Sequence, residues 1–186
     1  RRVAAGDPAL GCGRARRMNR NSRPPPPPQP VREEGTRAVR PSDAATIIIW
    51  RKQRRRVEVL MGERHRAHKF LPHRYVFPGG RVDGQDARIR SANEMHPAVA
   101  AQLARTTPKG RGRSIAVAAI RETFEETGLI IGEPDPLSHR PPPKGWERFF
   151  GAGYAPALDR LEYIARAITP VFRPIRFDAR FFMVGA

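Results

Sequence analysis

The chain has 186 residues and a formal net charge of +17, and its length suits one domain with a substantial core rather than two. No apolar run approaches the roughly 18–20 residues that cross a bilayer, so no membrane span is predicted and a soluble intracellular protein is expected. The single cysteine, Cys12, excludes a disulfide framework and a zinc site built from cysteines. The positive charge predicts attraction to nucleic acid, anionic membrane or phosphate-rich small molecules, although a compositional bias towards arginine explains it equally well.

Residues 1–42 form an arginine- and proline-rich segment that contains "RPPPPPQP" at 23–30 and few large apolar residues. Such a segment cannot bury enough surface to offset the entropy lost on ordering, so it is predicted to be disordered. The proline run is interpreted as a stiff spacer or as a polyproline II ligand. The acid-poor start resembles an organellar transit peptide, which leaves targeting to an organelle open as an alternative.

After this arm the pattern predicts ordered elements. "DAATIIIW" (43–50) and "VEVLMG" (57–62) are predicted strands, joined as a hairpin by the polar turn between them. "RYVFPGG" (74–80) predicts a third short strand that ends in a Pro-Gly-Gly turn. "HPAVAAQLAR" (96–105) predicts a short helix, and a basic loop follows at 106–113.

A second helix is predicted to begin near Ser114 and to carry "AIRETFEETGLI" at 119–130. At about 100° per residue, its three glutamates share an arc of roughly 100°. The opposite arc is apolar and is predicted to pack on a sheet. The two faces hold Glu122, Glu125 and Glu126 on one side, and Val117, Ile120 and Phe124 on the other. Gly128 is predicted to end this helix.

The crowded glutamates repel one another, and Arg121, four residues before Glu125, offsets only about 0.2–0.5 kcal/mol of this repulsion. A divalent cation offsets far more, and Mg2+ or Mn2+ favours carboxylate oxygens together with substrate phosphates and water. The alternative is a solvated acidic face that binds nothing, which is the common role of such faces.

The last part of the chain predicts a mixture of short elements. "LIIG" (129–132) is a predicted strand, and residues 133–160 are expected to form a loop with one or two short helices. "EYIARAI" (162–168) and "RFDARFFMVGA" (176–186) are predicted strands. Asp178, in the last of these, is expected either to lie near a functional site or to face solvent.

"FPGGRVDGQD" (77–86) precedes the glutamate helix, and its glycines let the backbone approach a metal or phosphate closely. Together the two segments resemble the signature of the Nudix hydrolases, Gly-x5-Glu-x7-Arg-Glu-x2-Glu-Glu-x-Gly. Gly80 matches the first glycine, and the second half is matched in full from Arg121 to Gly128. The resemblance implies an α/β fold, an α/β/α sandwich with a mixed sheet, over residues 43–186.

The chain departs from this signature in two places. Asp86 stands where the signature has Glu, and 34 residues rather than 7 separate it from Arg121. The extra residues, about 87–113, are expected to form a tolerated insertion before the helix. An interrupted signature of this kind resembles the acyl-coenzyme A diphosphatase branch of the family. Because relatives continue beyond the corresponding strand, the resemblance also implies that the C-terminal end of the fold is incomplete at Ala186.

The family implies hydrolysis of a diphosphate linkage in a nucleoside diphosphate joined to another group, with Mg2+ or Mn2+ as cofactor. The resemblance makes Glu125, Glu126 and the carbonyl of Gly79 metal ligands. It makes Glu122 a further ligand or the base that activates water, while Arg121 orients the glutamates. Glu122, Arg121 and Glu125 are therefore the candidate catalytic residues.

The substrate-binding candidates are Gly80, Arg81 and two residues of the basic segment 63–74, Arg64 and Lys69. This segment is interpreted either as a phosphate grip or as a solvated loop. The expected substrate is a small-molecule diphosphate, and the branch favours coenzyme A or acyl-coenzyme A. Nucleotide sugars, dinucleotides and capped RNA are alternatives. The strong positive charge supports a further alternative, a nucleic-acid-binding protein that has kept the fold and lost turnover.

Overall fold

The structure is a computed structural model that describes residues 39–63, 74–137 and 141–186. The disorder predicted for residues 1–42 therefore concerns a segment that lies almost entirely outside the described residues, and the same holds for Arg64 and Lys69. The strands in chain order are β1 (Ser42–Gln53), β2 (Arg56–Val59), β3 (Gly62–Glu63), β4 (Tyr75–Val76), β5 (Gly79–Arg81), β6 (Gly132–Pro134), β7 (Tyr154–Pro156), β8 (Glu162–Ile168) and β9 (Phe177–Gly185). The helices are α1 (Pro97–Ala104), α2 (Arg111–Thr127) and α3 (Glu147–Gly151), with 3-10 turns at Gly84–Arg88 and Leu158–Arg160.

A mixed five-stranded sheet is the main framework. Its strands are ordered β2-β1-β9-β8, and β5 also pairs with β1. β1 runs parallel to β9 and antiparallel to β2 and β5. The β-branched run of β1 alternates between the two faces, so that Ala45, Ile47 and Ile49 point into the core. The predicted mixed α/β architecture is thereby confirmed.

The helix that carries the glutamates fills the centre of the core. α2 begins at Arg111, three residues before the predicted start, and ends at Thr127, where Gly128 forms the predicted glycine cap with a left-handed φ of 73°. The expectation of one buried face is wrong for its first half, because every residue from Ser114 to Ile120 is buried. α2 contacts β1, β5 and β9. Aromatic side chains also pack against this helix, with the rings of Phe124 and Phe149 meeting edge to face at 5.1 Å.

Several strand predictions are confirmed and others need correction. The hairpin of β1 and β2, the short helix α1 and the strands β8 and β9 lie where they were expected. The strand predicted at 74–80 is instead two strands in two sheets, β4 paired with β3 and β5 paired with β1. Pro78 separates them, since proline lacks the N–H that a continuous ladder needs.

The prediction of a strand at 129–132 is wrong for most of its length. Ile130 and Ile131 are buried in the connection after α2, and β6 begins only at Gly132. A short apolar run indicates burial more reliably than it indicates a strand. The pairing of β6 with β7 was not predicted, because residues 133–160 were expected to be loop and helix. No helix in the described part of the chain is long and apolar enough to span a bilayer.

Candidate active site

Two glycines of β5 bring the backbone against the glutamate face of α2, which consists of Glu122, Glu125 and Glu126. A Cβ atom placed on Gly80 would lie 2.3 Å from Oε2 of Glu122, and one on Gly79 would lie 2.3 Å from the carbonyl oxygen of Ala45. Any side chain at these positions would therefore displace either the glutamate or β1. The amide of Gly79 also donates a hydrogen bond of 3.1 Å to Oε2 of Glu126.

Arg121 ties the two segments of the site together. Its guanidinium donates to both carboxylate oxygens of Asp86, at 3.0 and 3.1 Å, and to Glu122 Oε1 at 2.9 Å. It also donates to Glu125 Oε1 at 3.2 Å and to the carbonyl oxygen of Arg81 at 2.9 Å. The predicted i,i+4 contact between Arg121 and Glu125 is thus confirmed. Burial by itself lowers the pKa of Arg121, but the hydrogen bond and charge of Asp86 and the charges of the two glutamates outweigh it and raise this pKa.

Asp86 holds Arg121 in place from a fully buried position. It lies in the 3-10 turn that follows β5, with no exposed surface. Its Oδ2 also accepts a hydrogen bond of 2.8 Å from the amide of Asp83, whose own side chain caps the same turn. The signature has Glu at this position, and Asp86 has a shorter side chain. The 3-10 turn nevertheless brings Asp86 close enough to accept two hydrogen bonds from Arg121. Both of its oxygens are committed to structural contacts.

The three glutamates have different environments. Glu122 is largely buried, and this burial raises its pKa, although the charge and hydrogen bond of Arg121 act in the opposite direction. The Glu125 side chain is 45% exposed, and Glu126 is also exposed. The glutamate face therefore combines one shielded carboxylate with two carboxylates that are open to solvent and to ligands.

The donor set at this face fits a divalent cation that favours oxygen ligands. The three carboxylates and the two glycines form a cradle that a Cβ atom at Gly80 would fill. Carboxylate and backbone carbonyl oxygens are the donors that Mg2+ and Mn2+ favour, with substrate phosphates and water completing the shell.

A polar groove opens beside the glutamate face and brings in a lysine that the sequence analysis missed. This groove, of about 370 Å³, includes Lys144 and Trp146 opposite Arg121 and Glu125. Lys144 is exposed, whereas Trp146 is buried. The only signal for Lys144 in the sequence was a lone lysine in "RPPPKGW", and its position across from α2 depends on tertiary packing.

A second, mostly apolar groove lies on the outer face of the main sheet. It has a volume of about 500 Å³ and reaches Gly79, Gly80 and Arg81 at one end. Its other lining side chains are largely apolar, and they include Phe77, Phe177 and Phe181. The guanidinium of Arg81 lies over the ring of Phe177, 5.3 Å from its centroid. We call this surface the outer groove.

The structure therefore brings together seven of the sequence-predicted residues: Gly79, Gly80, Arg81, Arg121, Glu122, Glu125 and Glu126. Of the two alternatives for Asp178, the solvent-facing one is wrong, because Asp178 is buried and accepts two hydrogen bonds of 2.7 Å from Arg166. It also lies 3.2 Å from the guanidinium of Arg180. The hydrogen bond from Arg166 is the main reason that the pKa of Asp178 is lowered.

Comparison with known proteins identifies similar chains. The family model described as the NUDIX domain matches residues 40–164. A Caenorhabditis elegans protein named "Putative nudix hydrolase 7" is 37% identical over 87 residues, which cover 47% of this chain and 21% of that protein. The chain thus matches only about a fifth of the length of this curated relative. The crystal structure of a NUDIX hydrolase from Alicyclobacillus acidocaldarius has a TM-score of 0.61 and 27% identity, covering 79% of this chain and 70% of the other.

Proposed function

Because the chain belongs to the NUDIX domain family, we propose that it is a metal-dependent hydrolase that cleaves a diphosphate linkage between a nucleoside and another group. The observation that carries this proposal is the packing of Gly79 and Gly80 against the glutamate face, with Arg121 joining the two segments. A protein that only bound polyanions would gain nothing from three adjacent carboxylates beside a backbone cradle, because these would repel the ligand.

In this proposal Glu125, Glu126 and the carbonyl of Gly79 hold Mg2+ or Mn2+. When bound by these groups, such a cation would supply neutralisation of the diphosphate charge and would make an attacking water more acidic. Glu122, the shielded carboxylate held by Arg121, would accept the proton from the attacking water. Arg121 fixes the carboxylates of Glu122 and Glu125 before substrate binds, so that little reorganisation is needed during reaction.

Coenzyme A or acyl-coenzyme A is the proposed substrate class. The interrupted signature resembles the acyl-coenzyme A diphosphatase branch. The outer groove also supports this choice, since it begins at Gly79 and Gly80 and offers apolar side chains to an extended group. Arg81 borders the same groove, and in this proposal it contacts a substrate phosphate, with Gly80 as the neighbouring backbone contact. Lys144 is a further phosphate-binding candidate from the polar groove.

The test is product formation from a panel of coenzyme A, acyl-coenzyme A, ADP-ribose, a dinucleotide and capped RNA, each with Mg2+ or Mn2+. We expect the coenzyme A compounds to be cleaved fastest and cleavage to be lost in Glu125→Gln, which keeps the shape of the side chain and removes its charge. If another compound of the panel is cleaved fastest, the proposal of diphosphate hydrolysis stands and the proposal of coenzyme A as substrate class is wrong.

The net charge of +17 favours one second candidate, a nucleic-acid-binding protein without turnover. This candidate predicts metal-independent RNA binding whose affinity falls steeply with salt, together with no cleavage of any panel compound. That combination of results would contradict the hydrolase proposal.

A further inference from the structure

A second polar cavity, separate from the glutamate face, has arginine as its most frequent lining residue. It has a volume of about 650 Å³ and lies between the start of β1, the end of β5, the loop before α2 and strands β8 and β9. We call it the arginine pocket. Its charged lining residues are Arg40, Arg81, Arg111, Arg166 and Arg180, with Asp43 and Asp178. Five guanidinium groups against two carboxylates leave a formal excess of three positive charges in the lining.

The two carboxylates already bind three of the arginines. Asp43 lies 2.9 Å from both Arg111 and Arg180. Asp178 pairs with Arg166 at 2.7 Å and with Arg180 at 3.2 Å. Arg180 is 1% exposed and also donates to the carbonyl oxygens of Asp178 and Thr106. This part of the pocket is therefore a rigid base in which each carboxylate is shared between two cations.

The remaining arginines supply the surplus charge. Neither Arg40 nor Arg81 forms an ion pair with a carboxylate of the described residues, and Arg40 is exposed. The buried Nε of Arg180 has no hydrogen-bond partner among the described residues. The N-terminus of α2 adds to the positive potential, because its cap, Gly110, has no side chain to bind the free amides and its first turn has no acidic residue. The exposed arginines and this helix end give the pocket a positive potential that favours an anion.

The arginine pocket adjoins the candidate active site through β5. Gly80 forms the cradle beside Glu122, and the next residue, Arg81, borders both the arginine pocket and the outer groove. The carbonyl of Arg81 is fixed by Arg121, so the strand cannot shift without disturbing the glutamate face. A substrate with its diphosphate at Gly80 would therefore lie beside Arg81, the next residue of the strand, which lines the arginine pocket.

We propose that the arginine pocket binds a phosphate monoester that the substrate carries in addition to its scissile diphosphate. The proposal rests on the proposed function for the position of the diphosphate. Guanidinium groups recognise phosphate oxygens through bidentate hydrogen bonds, and an excess of three charges matches a phosphate dianion better than a neutral hydroxyl. Among nucleoside diphosphate derivatives, a pocket for a phosphate monoester favours compounds with a phosphorylated ribose. Coenzyme A, with its 3′-phosphate, is such a compound.

The test compares coenzyme A with 3′-dephospho-coenzyme A, which has the same scissile linkage and lacks only the monoester. We expect the wild-type kcat/KM to favour coenzyme A by about 10-fold or more, the scale of a hydrogen bond to a charged group. In Arg40→Gln/Arg81→Gln this preference is expected to fall towards 1. Neither change leaves a described carboxylate without its ion pair, so the variant is expected to fold. The control is Arg55→Gln/Arg56→Gln, which removes the same charge from the exposed turn between β1 and β2 and the first residue of β2, and it is expected to keep the preference.

Binding without turnover gives the second readout. Calorimetry with adenosine 3′,5′-bisphosphate and adenosine 5′-monophosphate is expected to show tighter binding of the bisphosphate, and the preference is expected to disappear in Arg40→Gln/Arg81→Gln. Equal affinities in the wild type, or an unchanged preference in the variant, would overturn the pocket proposal. If no diphosphate is cleaved but the preference for the bisphosphate is present and is lost in the variant, the proposed function fails and the pocket stands.

Discussion

Gly80 and Glu122 are fitted so closely that the smallest side chain cannot be added between them. In Gly80→Ala the new methyl group would meet the Glu122 carboxylate at 2.3 Å and push it away from Arg121. We expect kcat/KM for the best panel substrate to fall by about 100-fold or more, since small displacements of catalytic groups have costs of this size. The fold should remain, because the displaced atoms belong to the end of a side chain.

Gly84→Ala is the matched control for this experiment. Gly84 lies four residues further along the same segment, and a Cβ atom there meets no other atom within 4 Å. Its activity is expected to stay near that of the wild type. Equal losses in the two variants would show that the segment, rather than the contact with Glu122, is sensitive to substitution.

Asp86 supports a different prediction, because its charge balances the largely buried Arg121. Asp86→Asn removes that charge and leaves a guanidinium that is only 11% exposed with weaker partners. We expect the free energy of unfolding, measured with urea, to fall by about 3–5 kcal/mol, the usual cost of breaking a buried pair. Asp159→Asn, at an exposed position, is expected to change it by less than about 0.5 kcal/mol. A small loss in Asp86→Asn would mean that Arg121 is held by the glutamates alone.

The individual residues of the site were predictable to different degrees. Glu122, Glu125 and Glu126 follow from helical spacing, and Gly79 and Gly80 follow from the resemblance, because both signals lie within short stretches of sequence. The position of Lys144 and the burial of Asp178 were not predictable. Each depends on a residue that is distant in the chain. Lys144 lines the same polar groove as Glu125, and Asp178 is paired with Arg166 on the adjacent strand.

Among the secondary-structure elements, α1 is the clearest case of an insertion that contributes to the core. It lies within residues 87–113, yet its Leu103 is completely buried and packs near Gly112 of α2. Leu103→Ala is expected to lower the free energy of unfolding by about 2–5 kcal/mol. The same substitution at Leu137, which is 37% exposed, should have a much smaller effect. Similar small losses at both positions, measured by urea unfolding, would show that the insertion is peripheral.

The pairing of β8 with β9 includes an ion pair that should give a pH-dependent contribution to stability. The folded-state pKa of Asp178 is lowered from its ordinary value of 3.8, mainly by the hydrogen bond from Arg166. The carboxylate is therefore stabilised above about pH 4, and this stabilisation is lost as the pH falls through the lowered pKa. In Arg166→Gln the loss of unfolding free energy should be greatest at pH 7 and should shrink below pH 4.

Urea unfolding of the wild type and Arg166→Gln at a series of pH values tests this prediction. Arg56→Gln, on the exposed strand β2, is the control and is expected to show a small difference that does not change in the same range. A difference between wild type and Arg166→Gln that is constant from pH 7 to pH 3 would exclude the ionised Asp178 as its source.

Elements with a clear internal pattern could be predicted, and elements defined by their partners could not. β1, β8 and α1 have strong β-branched or helical patterns over seven residues or more, and they lie close to their predicted positions. β6 and β7 have three residues each and contain glycine or proline, so only their mutual pairing makes them strands. Ile130 and Ile131 lie in a buried connection after α2. A short apolar run looks the same in the sequence whether it forms a buried connection or a buried strand.

In the molecule as a whole, two stretches of the signature that are far apart in the chain meet because β5 pairs with β1 while α2 packs on the same sheet. The mixed α/β fold was predictable from the signature, but the relation between the insertion and the core was not. The same arrangement places positive charge around the site, in the arginine pocket and at Lys144, while the glutamates remain the negative centre. The surrounding positive charge would attract a negatively charged diphosphate. The same diphosphate would need a cation in order to approach the glutamates.

The measurement that decides whether this centre performs hydrolysis is the Mg2+-dependent cleavage of coenzyme A, followed by phosphorus NMR, in the wild type, Glu122→Gln and Glu162→Gln. Glu162 lies on an exposed position of β8 and provides the same change of charge away from the site. We expect cleavage into two phosphate monoesters by the wild type and Glu162→Gln, and a rate lower by about 100- to 10,000-fold in Glu122→Gln. Cleavage that persists in Glu122→Gln, or that needs no divalent cation, would contradict the assignment of the chemistry to the glutamate face.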